Sequence, residues 1–288
     1  MIFKEDTTMV RLPIALQLFS VRDALEADFE GTLRAVKEMG YDGVEFAGLY
    51  GKSPAQVQQM CAQIGLTPIS AHVPLDDMMA DPEGVIESYR QLGCQQIVIP
   101  YLTDEYRPGA KGFDTLIHWA KKLGALCAQR GIRLAYHNHD FEFAKVGDDY
   151  ALDVLYREVP ADCLETQLDT CWVFVGGEDP TKYVEKYAGR EYTVHLKDFW
   201  VSPDAVKGHK AEKLYQLIGI DDSKQVPVED GQPFCLRPLG YGLQNIPSIV
   251  QAAQNAGAQW LIVEQDSPSM GKTPLQCAQM SLAYLKQL

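Results

Sequence analysis

One punctuation pattern, repeated along 288 residues, constrains this chain more than any other feature. An amphipathic stretch ends in glycine, a few residues follow, and then comes a short β-branched run. The runs that read as strands are eight: Ile14–Leu18, Gly43–Phe46, Pro68–His72, Gln96–Pro100, Arg133–His137, Leu164–Leu168, Tyr192–Leu196 and Trp260–Glu264. The helices between them open on legible signals. Ser53-Pro54 with Gln56 and Thr273-Pro274 with Gln276 read as capping boxes, and Asp81-Pro82 and Asp179-Pro180 likewise put proline in the first helical turn. They close at Gly40, Gly65, Gly93, Gly131 and Gly257, which are helix ends and not ligand loops.

Eight alternating units in one chain admit a closed barrel or a long doubly wound sheet. A doubly wound nucleotide binder carries a glycine-rich turn after its first strand, whereas here that strand runs into Gln17-Leu18-Phe19-Ser20-Val21-Arg22, and Gly240-Tyr241-Gly242 follows no strand. The expectation is a single α/β domain over 13–288, a (β/α)8 TIM barrel. Residues 1–12 read as a disordered leader. A long loop over about 199–239 reads as a lid, because it leaves from the strand-exit side where barrel sites form.

Composition narrows the function. No segment approaches the roughly 18 apolar residues of a membrane span, and the N-terminus shows no apolar signal core, so the reading is cytoplasmic. Seven cysteines without a Cys-x-x-Cys pair fit a reducing compartment and structural thiols. A formal charge of −13 repels nucleic acid and anionic membranes. A small neutral substrate fits better, with a homo-oligomer open.

The chemistry gathers where strands five to eight run out, at His137-Asn138-His139-Asp140-Phe141-Glu142, Asp169-Thr170-Cys171-Trp172, His195-Leu196-Lys197-Asp198 and Glu264-Gln265-Asp266. Neighbouring strand ends of a barrel converge on its axis. Several carboxylates buried together need a cation. One ligand per strand gives Glu142, Asp169, His195 and Glu264, a set suited to one divalent ion, Mn²⁺ first, with Mg²⁺, Co²⁺ or Zn²⁺ as alternatives. Candidates for a general base are Glu142, Glu264, His139, His137 and Lys197. Gln17, Glu45, His72, Trp172 and Asp198 are the candidates for binding substrate. Arg237, a lone loop arginine, does not argue for a phosphorylated substrate.

These segments, with Leu16–Arg22 and Val44–Gly48, resemble the sugar phosphate isomerase/epimerase family of xylose isomerase-like TIM barrels, and most of all its inosose dehydratase-like, keto-sugar-processing branch. The resemblance covers nearly the whole chain. It implies a Glu, Asp, His, Glu metal site at Glu142, Asp169, His195 and Glu264, although the fifth strand itself ends on His137. It also implies a metal-dependent isomerase or epimerase, or a lyase of the same fold, inosose dehydratase-like or keto-glycoside-cleaving, working through the same enediolate. A rival reading, an endonuclease for abasic DNA, fails on six scattered histidines and the missing basic face. A non-catalytic sugar-binding protein is the other alternative, and turnover in the presence of metal separates it from an enzyme.

Overall fold

The computed structural model describes residues 12–201 and 234–288. Eight parallel strands form the barrel: β1 (Ile14–Gln17), β2 (Gly43–Phe46), β3 (Thr67–His72), β4 (Gln96–Ile99), β5 (Arg133–His137), β6 (Glu165–Gln167), β7 (Thr193–Leu196) and β8 (Trp260–Val263). Ladders join β1 through β6 in sequence order, and β1 pairs with β8, which pairs with β7. The seam between β6 and β7 closes through two bridges, Thr166 with Glu191 and Asp169 with His195.

All eight expected strands are present, with ends that differ for physical reasons. Pro100 has no N–H to extend the β4 ladder. Leu18 opens a 3-10 turn, Leu18–Val21, because the Gln17 side chain turns back to accept from the Phe19 N–H at 2.9 Å. The expected capping boxes at Ser53 and Thr273 are both formed. Asp81 and Asp179 cap the helices whose first turns hold Pro82 and Pro180. Gly93, with φ of 101°, ends its helix in the left-handed region that side chains with a Cβ disfavour.

Alternation along each strand sorts the core. On β8, Leu261 and Val263 pack outward with Leu16, Val44, Leu134 and Val194 under the helices. Ile262 packs inward on Ala15 and Ile69, with Trp260 against them. Each fully buried aliphatic side chain in the outer layer is worth about 1.5–3 kcal/mol relative to exposure. Ile262 is in register with His195, so the same alternation aims His195 at the barrel axis. No described helix is long and apolar enough to cross a membrane. All seven cysteines are free thiols, six of them buried.

The long segment after β7 is not irregular at its ends. Asp198–Val201 and Phe234–Arg237 pair as an antiparallel ribbon, and Phe199, Phe234 and Leu236 pack with Trp172 beneath it. Residues 202–233, and the lid reading with them, lie outside the described residues, as do residues 1–11 of the expected leader.

At the opposite end of the barrel, burial of Glu191, opposed in part by the Thr166 hydroxyl, pushes its carboxyl up to about 8. A carboxyl raised on folding contributes stability that is complete below its unfolded pKa near 4.5 and is lost as pH rises through about 8. Each tenfold gain in proton affinity on folding corresponds to about 1.4 kcal/mol. Glu191→Gln is therefore expected to melt close to the wild type at pH 5 and roughly 5 °C or more above it at pH 9. Parallel melting curves at the two pH values would contradict this.

Candidate metal centre and active site

A polar layer inside the barrel sets up the site from below. Glu45 on β2 is its hub, accepting from Gln17 at 2.7 Å, Ser70 at 2.6 Å and Gln167 at 2.7 Å. Its Oε1 also lies 2.7 Å from His195 Nε2 and 3.0 Å from His72 Nε2. Burial disfavours the Glu45 carboxylate, but His72 and His195 overcome it and hold its pKa well below the ordinary range. Both imidazoles are thereby fixed from beneath, in the manner of the outer partners that orient metal-ligating histidines.

Above this layer His137, Asp169, His195 and Glu264 each bring one donor atom within 4.8 Å of all the others. Asp169 follows β6 and divides its carboxylate between two tasks. Oδ1 caps the helix Thr170–Val175, accepting from the N–H groups of Cys171 and Trp172 at 2.9 and 3.2 Å. Oδ2 is buried and lies 3.6 Å from His137 Nε2 and 2.9 Å from Lys197 Nζ, whose ammonium donates to it. His195 Nδ1 is 2.9 Å from Glu264 Oε2.

Lys197 is buried with three carboxylates, its ammonium 2.9 Å from Asp169, 3.0 Å from Glu264 and 3.1 Å from Asp266. Burial opposes the charge, yet these carboxylates keep its pKa well above the usual lysine value. Burial likewise pulls His195 down, but Glu45 and Glu264 lift it to about 10. Against Lys197 and a protonated His195 stand four carboxyl groups: Glu45 and Glu264 are held ionised by their cationic neighbours, whereas burial raises Asp169 and lifts Asp266 to about 7. Two imidazoles and two carboxyl groups drawn together in the interior fit a divalent ion. His195 would offer Nδ1 to it while Nε2–H stays on Glu45.

Of the four ligands expected from sequence, the structure brings together Asp169, His195 and Glu264, with His137 in the fourth place. Glu142 stands elsewhere. It lies in a 3-10 turn, Phe141–Phe143, that carries its carboxylate back to the outward face of β5. There it accepts from the Tyr136 hydroxyl and from the His139 N–H at 2.8 Å. Burial raises its pKa to about 8, with Tyr136 and His139 offsetting part of the rise. Gln17 and Glu45, expected at the substrate, sit under the histidines instead. Asp198 is a clamp: its carboxylate accepts from the N–H groups of Phe199, Gly240, Gly242 and Gln244 at 2.9–3.1 Å. A Cβ on Gly242 would stand 2.1 Å from that carboxylate.

His72, His137, His139, Trp172, Lys197, Glu264 and Asp266 line a cavity of about 510 Å³ over the cluster. Trp172 stacks against His139 and Phe234, with ring centroids 5.8 and 6.1 Å apart. Burial holds both His137 and His139 well below the usual imidazole pKa, with His195 adding to the effect on His137 and Lys197 on His139. Both are neutral. Sequence reasoning missed Gln167, which lies 2.8 Å from His72 Nε2 and 3.2 Å from His137 Nδ1. It also missed Asn138, whose side chain accepts from the Asp169 N–H at 3.0 Å. The signal for Gln167 was its place two residues before Asp169, on the same face of β6.

A family model for xylose isomerase-like TIM barrels matches residues 33–288. The chain belongs to this enzyme family. An inosose dehydratase of Clostridium botulinum is 26% identical over 192 residues, 67% of this chain and 60% of the relative, so the chain spans about three fifths of the length of that relative. An inosose dehydratase of Geobacillus kaustophilus is 20% identical over 279 residues, 89% of this chain and 86% of the relative. The crystal structure of a sugar phosphate isomerase/epimerase from Parabacteroides distasonis superposes with a TM-score of 0.72 at 21% identity, covering 96% of this chain and 94% of that one. That likeness is one of fold.

Proposed function

We propose that this xylose isomerase-like barrel is a divalent-metal-dependent sugar isomerase or epimerase that removes a proton from the carbon next to the carbonyl of a keto-sugar. The observation that carries the proposal is the buried group His137, Asp169, His195 and Glu264 at the floor of a cavity that also exposes a neutral imidazole and a lysine ammonium. An ion held there supplies Lewis-acid polarisation of a carbonyl. The rest is the work of the chain's own side chains.

His139 is the base. It lines the cavity, is neutral, stands outside the ligand group and is held by the Glu142 carboxylate on its N–H. When it takes the proton, the C–H electron pair forms the enediolate double bond and the carbonyl oxygen becomes anionic beside the Lys197 ammonium. Return of the proton to the other face of that carbon epimerises. Delivery to the neighbouring carbon isomerises. A lyase reading is favoured by the curated inosose dehydratases: the same intermediate re-forms the carbonyl and expels a β-hydroxyl, which leaves as water with the proton that His139 has taken.

The test is solvent deuterium incorporation, followed by NMR, into inosose and a panel of keto-hexoses with Mn²⁺-loaded and chelator-treated protein. Exchange that needs the ion and falls in His139→Gln is expected. The product then separates isomerisation from elimination. Absence of exchange on every compound would move the assignment to a sugar-binding protein.

A further inference from the structure

Two imidazoles of the barrel interior share one acceptor. Gln167 Oε1 lies 2.8 Å from His72 Nε2 and 3.2 Å from His137 Nδ1. The other half of the same amide fixes which way it points. Gln167 Nε2 stands 2.7 Å from Glu45 Oε2 and 3.0 Å from the Thr193 hydroxyl. Against burial, which disfavours it, His72 and His195 keep Glu45 ionised, and a carboxylate can only accept. Thr193 gives its own proton to Gln96 Oε1 at 2.8 Å, so towards Gln167 it accepts as well. The two N–H groups of the amide are taken up by these partners, and its oxygen is what meets the histidines.

A carbonyl oxygen calls for a donor on each ring. His137, neutral in its buried place, carries one ring proton, and Gln167 draws that proton to Nδ1. The lone pair is then on Nε2, which faces Asp169 Oδ2 at 3.6 Å and Glu264 Oε2 at 4.0 Å. A lone pair turned on two carboxyl groups gains nothing until a cation stands among them. In His72 the proton goes to the other nitrogen. Its Nε2 meets two acceptors, Gln167 Oε1 and, at 3.0 Å, Glu45 Oε1, so the neutral ring bears Nε2–H and a bare Nδ1. One glutamine thus gives two neighbouring rings opposite tautomers.

We propose that Gln167 is a positioning residue that selects the Nδ1–H tautomer of His137 and so turns the Nε2 lone pair into a metal donor. Gln167 is not itself one of the groups drawn together at the centre, which are His137, Asp169, His195 and Glu264. The role in ion binding rests on the metal-centre reading above, whereas the tautomer rests on hydrogen bonds alone. Partners of this outer kind are worth about 10–100-fold in metal affinity.

The test is long-range proton–nitrogen correlation NMR on metal-free protein with labelled histidines, at about pH 8, above the usual imidazole pKa near 6.5. Signals are assigned from His72→Gln and His137→Gln. His137 is expected to be protonated on Nδ1 and His72 on Nε2. Gln167→Met keeps much of the side-chain length and removes the acceptor; in it the His137 proton is expected to move to Nε2, towards Asp169, and Mn²⁺ affinity measured calorimetrically is expected to fall by about 10–100-fold. Gln167→Glu keeps an oxygen towards the rings and is expected to retain Nδ1–H. A proton on Nε2 of His137 in the wild type overturns the proposal without any variant. So does weaker Mn²⁺ binding in Gln167→Met with the tautomer unmoved, which would make Gln167 a packing residue. The expected tautomers in a wild type that binds no Mn²⁺ would overturn the metal-centre reading and with it the role in ion binding, leaving the tautomers as found.

Discussion

Lys197→Met is expected to lower the melting temperature of the metal-free protein by roughly 10 °C, and added Mn²⁺ is expected to restore more of the stability of this variant than it adds to the wild type. Methionine keeps much of the buried stem and removes the charge. Asp169, Glu264 and Asp266 then lose the ammonium that lies within 2.9–3.1 Å of all three. Breaking a buried ion pair from one side costs about 3–5 kcal/mol, because the partner charge stays behind, and each kcal/mol moves the midpoint of a domain of this size by about 2–4 °C. Two of the three carboxylates, Asp169 and Glu264, belong to the proposed ligand group. The lysine therefore steadies the centre when no ion is bound, and an ion that binds must share those two carboxylates with it. Asp266 stands outside the proposed ligand group. Thermal melts with and without Mn²⁺ check both parts, and an unchanged metal-free midpoint would show that the carboxylates do not depend on Lys197.

The barrel was legible because its signals are local. Capping residues, helix-ending glycines and β-branched runs each act within a turn or a strand, and together they left one closed topology. The ribbon Asp198–Val201 with Phe234–Arg237 was hidden, because its two strands are separated by a long stretch of chain; the Asp198 carboxylate, at the end of the first, accepts from the N–H groups of Gly240, Gly242 and Gln244 beyond the second. At the site, strand ends pointed to Asp169, His195 and Glu264, since a strand fixes the direction of its last side chains. Glu142 was different. It lies past the strand, and the turn around Phe141 decides which way it faces. The same uncertainty did not apply to His137, which ends β5 and has the parity of an inward residue; strand alternation alone favoured it over Glu142. Glu45 and Gln17 show the converse limit. Alternation placed them inside the barrel, but depth along the axis, and so the difference between touching substrate and holding a histidine, depends on barrel tilt and is not written in one strand.

Glu264→Gln is expected to cut metal-dependent deuterium exchange by more than about 100-fold while leaving the melting temperature within a few degrees of the wild type. Glu264 Oε2 is the meeting point of the centre, 2.9 Å from His195 Nδ1, 3.0 Å from Lys197 Nζ and 4.0 Å from His137 Nε2. An amide of the same volume keeps the packing. Lys197 still has Asp169 and Asp266, and His195 still has Glu45, so no cation is left alone in the interior. What disappears is one negative charge among the proposed ligands. Outer partners of a metal site are already worth about 10–100-fold in affinity or activity, so the loss of a ligand charge exceeds that range. Bound Mn²⁺ measured by mass spectrometry alongside exchange distinguishes the causes. Lost metal with a normal melt assigns Glu264 to the centre. Retained metal with lost exchange makes its carboxylate part of the proton path in place of, or together with, His139. Retained metal and retained exchange would mean that His137, Asp169 and His195 suffice, and that the negative charge of Glu264 serves only to balance Lys197.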